Sequence, residues 1–424
     1  MTETALPPVG PGDPPAVAPA AIPAPGELTG GWQPLRVLGA ASQLSLALPD
    51  AHPTPSQLYG PRGVLLDVRA AGGPGGGGAT TRVIAADTGN HRLLVWPDLP
   101  AADGADAAVV IGQADPYSEG PQAGGRGPER GLFLPTGLAL ADGLLLVADG
   151  WNHRIVAYDA ALDTDDPEPA WWLGQADLSS IEPNRGGEPD AASLYWPFGV
   201  TWHDGWLWVC DTGNRRVLGW NASPAGGFDP ARPADVILGQ PDAHSREENR
   251  GADVAADSFR WPHAIAVVPD VAGGVLWVAD AGNHRLLGWR LPLDSDRPAD
   301  LVLGQPGFTS AAEMPHVPQG PSRLRFPYAA TGLDGELLVG DTANNRVLGW
   351  QRPATQPVAT PADAVLGQHS FDPAGENRWT AVTPDSFCWP YGLSAVHDGR
   401  PDGPGDVLAV ADSGNNRVVL WNRR

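Results

Sequence analysis

One ten-residue pattern occurs six times in the chain, at intervals of 61 to 71 residues. Each copy starts with Asp, has Asn at its fourth place and Arg at its sixth, and ends with Trp or Tyr. The copies are DTGNHRLLVW (87–96), DGWNHRIVAY (149–158), DTGNRRVLGW (211–220), DAGNHRLLGW (280–289), DTANNRVLGW (341–350) and DSGNNRVVLW (412–421). Repetition at a fixed spacing predicts a fold in which one supersecondary unit recurs and buries its surface against its neighbours.

Two shorter sequence motifs recur alongside the ten-residue pattern. A Gly-Gln word ends at Gln113, Gln175, Gln240, Gln305 and Gln368, and a Pro follows each Gln after 22 positions, at Pro135, Pro197, Pro262, Pro327 and Pro390. The first Pro of this series is Pro61. Within the 22-residue segments, an Asn-Arg pair recurs nine places after the Gln, at 184–185, 249–250 and 377–378. A connection of constant length and constant motif predicts a fixed conformation.

The Gly-Gln word occurs five times, whereas the ten-residue pattern occurs six times and ends three residues before the end of the sequence. The start of the chain supplies a substitute, because LRVLGA (35–40) matches the strand that carries this word. A displaced strand that joins the first and last units removes the open edge of a repeat array. We therefore predict an all-β fold, a six-bladed β-propeller of four-stranded antiparallel blades. An N-terminal strand at about 35–39 completes the last blade.

The domain prediction divides the chain at one point. Residues 1–31 are rich in Pro, Ala and Gly and offer little to bury, so we predict a disordered tail there. Residues 32–424 are predicted to form the propeller. Short apolar runs separated by some of the 54 Gly and 46 Pro residues indicate many strands and turns.

Composition excludes several partners. The formal net charge is -22, which would repel a nucleic-acid backbone and an anionic membrane surface. The sequence lacks an apolar run of the ~18 residues that a membrane helix needs, and its opening lacks the charge pattern of a secretion signal. We predict a cytoplasmic monomer. Cys210 and Cys388 fall in opposite units, which argues against a disulfide and indicates two buried thiols.

The repeated pattern resembles the NHL repeat, whose Asn-His-Leu signature is nearly intact at 90–93 and 283–286 (both NHRL). The resemblance extends from Leu35 to Trp421 and implies a six-bladed propeller. It does not imply an activity, because the family is functionally diverse. Some six-bladed relatives are metal-dependent lactonases or lyases, and some family members bind RNA on a basic face.

The repeated residues are predicted to build the scaffold. The Gly-Asn pair that four of the six patterns contain suits positive φ in the turn between the second and third strands. Asp and Arg are expected to join across that turn by a charge-assisted hydrogen bond, and the terminal aromatic is expected to fill the space between blades. The scaffold residues singled out are Asp87, Asn90, Arg92, Asp211, Asn214, Arg216, Asp280, Asn283, Arg285, Asp412, Asn415 and Arg417.

Function is expected where the copies differ. The 22-residue segments and the Asp-Gly-Asn turns should emerge on one face, the loop-rich face, and loops on a rigid scaffold commonly bind ligands. The residue after each repeat Pro should enter the axial mouth; these are Arg62, Thr136, Phe198, His263, Tyr328 and Tyr391. The first hypothesis is that these residues bind a peptide, a partner's side chain or a planar ligand, and that Arg62 binds an anion. The second is that the rings pack on one another and fill the funnel.

Trp151 and Trp379 also depart from the repeat. Each is an interface anchor if it is exposed, and otherwise it packs against a neighbouring loop. The resulting prediction is a non-catalytic interaction platform for a protein or peptide partner, with no catalytic residue, metal or cofactor. The first alternative is a hydrolase or lyase with a small-molecule or metal site in the funnel, for which His263, Asp67 and His203 are the available groups. The second alternative, RNA binding, is disfavoured by the charge.

Overall fold

The computed structural model describes residues 28–39, 52–69, 79–221, 229–269, 273–355, 358–400 and 402–424. These residues form 24 strands in six four-stranded antiparallel sheets. The predicted tail at 1–31 lies outside the described residues except for 28–31, which form a turn. The carbonyl of Leu28 accepts a hydrogen bond of 2.7 Å from the amide of Val365 in the fifth blade.

Five blades follow the chain without interruption. Blade 1 contains β2 (Gly63–Arg69), β3 (Thr80–Asp87), β4 (Arg92–Trp96) and β5 (Val109–Ile111). Blade 2 contains β6 (Pro135–Ala141), β7 (Leu144–Asp149), β8 (Arg154–Asp159) and β9 (Trp171–Leu173). Blade 3 contains β10 (Pro197–His203), β11 (Trp206–Asp211), β12 (Arg216–Asn221) and β13 (Val236–Leu238). Blade 4 contains β14 (Pro262–Val268), β15 (Val275–Asp280), β16 (Arg285–Arg290) and β17 (Leu301–Leu303). Blade 5 contains β18 (Pro327–Leu333), β19 (Glu336–Asp341), β20 (Arg346–Gln351) and β21 (Ala364–Leu366).

Blade 6 is built from both ends of the described chain. It contains β22 (Pro390–His397), β23 (Asp406–Asp412), β24 (Arg417–Arg423) and, as its outer strand, β1 (Gln33–Gly39). β1 pairs antiparallel with β24, with Val37 opposite Val419. The predicted closing strand and the predicted six-bladed ring are therefore confirmed, and β1 joins both ends of the described chain in one sheet.

The hydrophobic core is divided into six clusters, one between each pair of neighbouring blades. Both faces of every sheet are therefore buried, which explains why the strands read as continuous apolar runs. The aromatic residue at the end of each ten-residue pattern lies in one of these clusters and is at most 2% exposed, as predicted; the six are Trp96, Tyr158, Trp220, Trp289, Trp350 and Trp421. Burying one such ring contributes about 3 kcal/mol.

The inner strands approach one another closely at the ring axis. A Cβ atom on Gly63 would lie 1.8 Å from the carbonyl oxygen of Thr136, and one on Gly199 would lie 2.4 Å from that of His263. These distances are shorter than any van der Waals contact. Glycine is therefore required at both positions by the neighbouring backbone.

Short helical turns connect the second and third strands of each blade. They span Thr88–Asn90, Gly150–Asn152, Thr212–Asn214, Ala281–Asn283, Thr342–Asn344 and Ser413–Asn415. The remaining short helical elements are Pro121–Gly125, Pro183–Gly186, Glu248–Gly251 and Glu376–Trp379 in the long segments, and Pro353–Thr355 after β20. None of the helices in the described ranges is long and apolar enough to span a bilayer.

The prediction that Gly and Asn take positive φ in the repeat turn is wrong. The left-handed residue is the one after Asn, for example His91 with φ 58°. Gly89 instead lies against the preceding segment, where a Cβ would come within 2.6 Å of the carbonyl oxygen of Tyr59. Steric contact, rather than backbone freedom, therefore accounts for this glycine.

Candidate functional site

The repeated Asp and Arg side chains form a buried ion pair in every blade. The Nε–Oδ2 distances are 2.7–2.9 Å in the pairs Asp87–Arg92, Asp149–Arg154, Asp211–Arg216, Asp280–Arg285, Asp341–Arg346 and Asp412–Arg417. In blade 3, Oδ1 of Asp211 also accepts the amide of Tyr195 at 2.7 Å, and its Oδ2 accepts the side-chain amide of Asn214 at 2.8 Å. The Arg216 guanidinium donates to carbonyl groups of two long segments. The pair therefore binds the turn to the segments on either side, as predicted for scaffold residues.

Three of the long segments share the fixed conformation that their constant length and motif predict. Asn184 and Arg185 both have left-handed dihedrals, and the pairs at 249–250 and 377–378 repeat this conformation. Asn184 exchanges hydrogen bonds with Asn214 of the repeat turn at 2.8 and 3.1 Å. The turns and the long segments therefore make one ordered surface on one face of the ring, which is the predicted loop-rich face.

The histidines of the repeat turns join neighbouring blades. Nδ1 of His153 accepts the amide of Trp196 at 3.0 Å, and His91 and His284 make the same contact to Leu134 and Phe326. Asn345 replaces His in blade 5, and its Oδ1 accepts the amide of Trp389 at 2.9 Å. A side-chain acceptor therefore occupies this position in five of the six blades, including Asn416 in blade 6, and Arg215 in blade 3 is the exception.

His153 should make stability depend on pH, because burial lowers the pKa of its imidazole from 6.5 to about 4. Between these values the unfolded chain binds a proton that the folded chain does not, so stability falls as pH falls through this window. We expect His153→Asn, which copies Asn345, to retain the acceptor and remove this loss. Urea denaturation should show the variant gaining about 1 kcal/mol on wild type between pH 7.5 and pH 5.0.

The matched control for this prediction is His369→Asn, which changes an exposed histidine in a long segment. It should leave the pH dependence of unfolding as in wild type. An unchanged slope in His153→Asn would show that this histidine does not carry the acid sensitivity.

The six axial-mouth residues are brought together, and four of them stack as rings. Ring centroids are separated by 4.5 Å between Phe198 and His263, 4.4 Å between His263 and Tyr328, and 4.7 Å between Tyr328 and Tyr391. The guanidinium carbon of Arg62 lies 5.0 Å from the Tyr391 ring centroid, in a cation–π contact. We call this group the axial stack. The geometry of the axial stack matches the alternative in which the rings pack on one another.

The axial stack differs in exposure along its length. Thr136, Phe198 and His263 are 1–4% exposed, whereas Arg62, Tyr328 and Tyr391 are only partly buried. Burial, together with the nearby charge of Arg62, lowers the pKa of His263 to about 4, so its ring is neutral near pH 7. Burial also raises the pKa of Tyr328 to about 12. The stack is therefore neutral except for Arg62.

An axial cavity of about 360 Å³ adjoins the stack and is surrounded by the six inner strands. Half of its lining residues are Ala, Val, Leu or Ile, with Thr201, Thr331 and Ser394 as hydroxyl groups and Trp202 and His203 at the end of their strand. Arg62, Phe198, Tyr328 and Tyr391 belong to both the stack and the cavity lining.

The residues available for metal or acid–base chemistry do not converge. His263 is buried in the stack, and Asp67 pairs with Arg82 at 2.7 Å. His203 lines the axial cavity. Across the described ranges, no group of three or more His, Cys, Asp or Glu residues is arranged to hold a metal ion.

Exposed aromatic side chains gather on the loop-rich face. Trp151 is 51% exposed beside Phe133, and Trp379 is 80% exposed, so neither is buried against a neighbouring loop. Four more exposed rings were not singled out from the sequence: Tyr59, Tyr117, Tyr195 and Trp389, which are 37–65% exposed. Three of these four lie one or two residues before a repeat Pro, a signal that the sequence contains. All six rings occur in repeat turns or in the segments between Gly-Gln words and repeat Pro residues.

Both cysteines are free and buried, as predicted. Burial raises the pKa of the Cys388 thiol to about 12 and raises that of Cys210 as well. A thiol of raised pKa is a weak nucleophile near neutral pH.

This arrangement defines the class of protein as a six-bladed β-propeller whose inner strands surround an axial cavity. The sequence profile of the NHL repeat matches residues 134–158, which include β6, β7 and most of β8. The chain is a six-bladed β-propeller that contains a sequence match to the NHL repeat in its second blade. No curated protein sequence matches the chain.

Solved structures resemble the fold at low sequence identity. The structure of U3-55K is 10% identical, with a TM-score of 0.45, over 91% of this chain and 99% of that one. A humanized mutant of the Chaetomium thermophilum Polycomb Repressive Complex 2, bound to the inhibitor GSK343, contains a chain that is 11% identical, with a TM-score of 0.43. That similarity covers 88% of this chain and 70% of the other.

Proposed function

We propose that this propeller is a non-catalytic platform that binds a protein or peptide partner on its loop-rich face. The observation that supports the proposal is the concentration of six exposed Trp and Tyr side chains on that face. Exposed aromatic groups cost hydration free energy, and Trp and Tyr are the residues most enriched at the energetic centres of interfaces.

The charge of the surface supports a basic partner. Asp115, Asp177 and Asp242 lie in three of the long segments and are fully or almost fully exposed, and hydrogen bonds from neighbouring residues lower the pKa of each carboxyl. These carboxylates are ionised near pH 7. With a net charge of -22, the protein should attract arginine or lysine side chains and repel nucleic acid and anionic membranes.

In this proposal the protein acts as a monomer in the cytoplasm, a compartment in which its two buried thiols remain unoxidised. The rigid ring presents the aromatic side chains without an ordering cost for the backbone, which favours affinity.

The test removes two anchors without disturbing the fold. Trp151→Gly introduces the glycine that four other repeat turns carry at this place, and Trp379→Ser changes a side chain that is 80% exposed. The sequence contains no lysine, so amine coupling immobilises the chain through its amino terminus alone. A partner purified from the host on this support is then titrated against wild type and the double variant.

We expect the double variant to bind the partner at least about tenfold more weakly, since each anchor contributes more than about 1 kcal/mol. The control is Val68→Ser with Val358→Ser, which changes two exposed apolar residues, 38% and 39% exposed, that lie outside the aromatic cluster. Equal affinity of wild type and the double tryptophan variant would refute the proposed surface. Failure to find any saturable protein or peptide partner would refute the platform itself.

A further inference from the structure

Arg62 differs from the other mouth residues because it is a cation without an anion. Its guanidinium donates no hydrogen bond and forms no ion pair to any residue in the described ranges; its contact is the face of Tyr391. The hydroxyls of Tyr328 and Tyr391 likewise have no hydrogen-bond partner among the described residues. The guanidinium of Arg62 and the two tyrosine hydroxyls therefore offer hydrogen-bond donors beside the axial cavity. The five N–H groups of an arginine bind a planar anion strongly.

The cavity has the electrostatic character that an anion requires. The protein carries a net charge of -22, yet no Asp or Glu is among the residues that line this cavity. The charged group in its lining is Arg62. In a site with low dielectric walls, an unpaired guanidinium attracts a carboxylate more strongly than it does at the surface.

Aliphatic side chains supply the apolar part of the lining. Leu65, Leu138, Leu140, Ile265 and Val267 border the cavity, and the aromatic stack adjoins it. The volume of about 360 Å³ is at the lower end of the range of about 300–1,000 Å³ that is typical of small-molecule sites. Such a volume excludes a folded partner and suits one small organic molecule.

We propose that the axial cavity binds a small amphipathic carboxylate, with its carboxylate on Arg62 and its apolar body between the inner strands. The Tyr328 and Tyr391 hydroxyls remain protonated because burial raises their pKa, so they supply further donors. This site uses side chains other than the aromatic anchors of the loop-rich face and does not depend on a partner there.

The test compares three probes that share one aliphatic chain: decanoate, decanol and decylammonium. Calorimetric titration of wild type should show saturable binding of decanoate, at least about tenfold weaker binding of decanol, and no binding of decylammonium, because a charged hydrogen bond is lost or a repulsion is introduced. Comparable affinities for decanoate and decanol would overturn the assignment of the carboxylate. Absence of saturable decanoate binding would overturn the site.

Substitutions of two arginines test which side chain binds the carboxylate. Arg62→Met keeps the length of the side chain and removes the charge, and it should weaken decanoate about tenfold while leaving decanol unchanged. Arg69→Met removes the same charge from the far end of β2, at an exposed position outside the cavity, and should bind decanoate as wild type does. Decanoate affinity that is equal in Arg62→Met and wild type would overturn the role of Arg62. If Arg62→Met fails to fold, the three probes on wild type still decide whether a carboxylate is selected.

Discussion

Replacing Asp211 with Ala is expected to lower the free energy of unfolding by about 3–5 kcal/mol. The substitution leaves the guanidinium of Arg216 fully buried without its carboxylate, and it removes the acceptor of the Tyr195 amide. Both losses occur where blade 3 meets a long segment, so the turn should loosen together with that segment. Urea denaturation followed by tryptophan fluorescence measures the difference.

Two controls separate a buried pair from an exposed one. Glu168→Ala breaks an ion pair with Arg130 at 2.8 Å in which the glutamate is 85% exposed, and it should cost less than about 1 kcal/mol. The double variant Asp211→Leu with Arg216→Met removes both charges and should be less destabilised than the sum of its single variants. A cost for Asp211→Ala as small as that for Glu168→Ala would contradict the structural role assigned to the repeated pair.

Replacing Gly63 with Ala is expected to cost about 3 kcal/mol, at the upper end of the range for overpacking. The new methyl group would lie 1.8 Å from the carbonyl oxygen of Thr136, an atom of the neighbouring inner strand. Blades 1 and 2 must separate to admit it, because neither backbone can rotate out of the way. The melting temperature and the urea midpoint should both fall.

The matched control for this second prediction is Gly307→Ala. Gly307 has no atom within 4 Å of its potential Cβ, so the substitution should change stability by less than about 1 kcal/mol and can even stabilise by restricting the unfolded chain. Equal effects of the two substitutions would show that the close approach of the inner strands is not the reason for Gly63.

The scaffold was largely predictable from the sequence because six copies report the same environment. The bond of Asp211 to Arg216, the burial of Trp220 and the pairing of β1 with β24 were all expected and are all found. The repeat turn was mispredicted, because Gly and Asn have general turn preferences that do not reveal which position is left-handed. Only the contact between Gly89 and Tyr59 shows why that glycine is needed.

The candidate sites were less predictable. Arg62, His263 and Tyr328 were identified by their place after the repeat Pro, but the sequence left open whether they grip a ligand or pack together. Tyr59, Tyr117, Tyr195 and Trp389 were missed because the exposure of a side chain depends on the segments packed around it, although three of them precede a repeat Pro.

The sequence by itself determined the architecture, because the strand pattern, the turn motif and the displaced first strand together predict a closed ring of six blades. The tertiary structure alone decided which rings are stacked, which are exposed and which cation is unpaired. These properties arise from contacts between residues that are distant in the chain, such as Phe198 with His263 and Tyr328 with Tyr391. They depend on the angle and distance between blades, which a local sequence pattern does not encode.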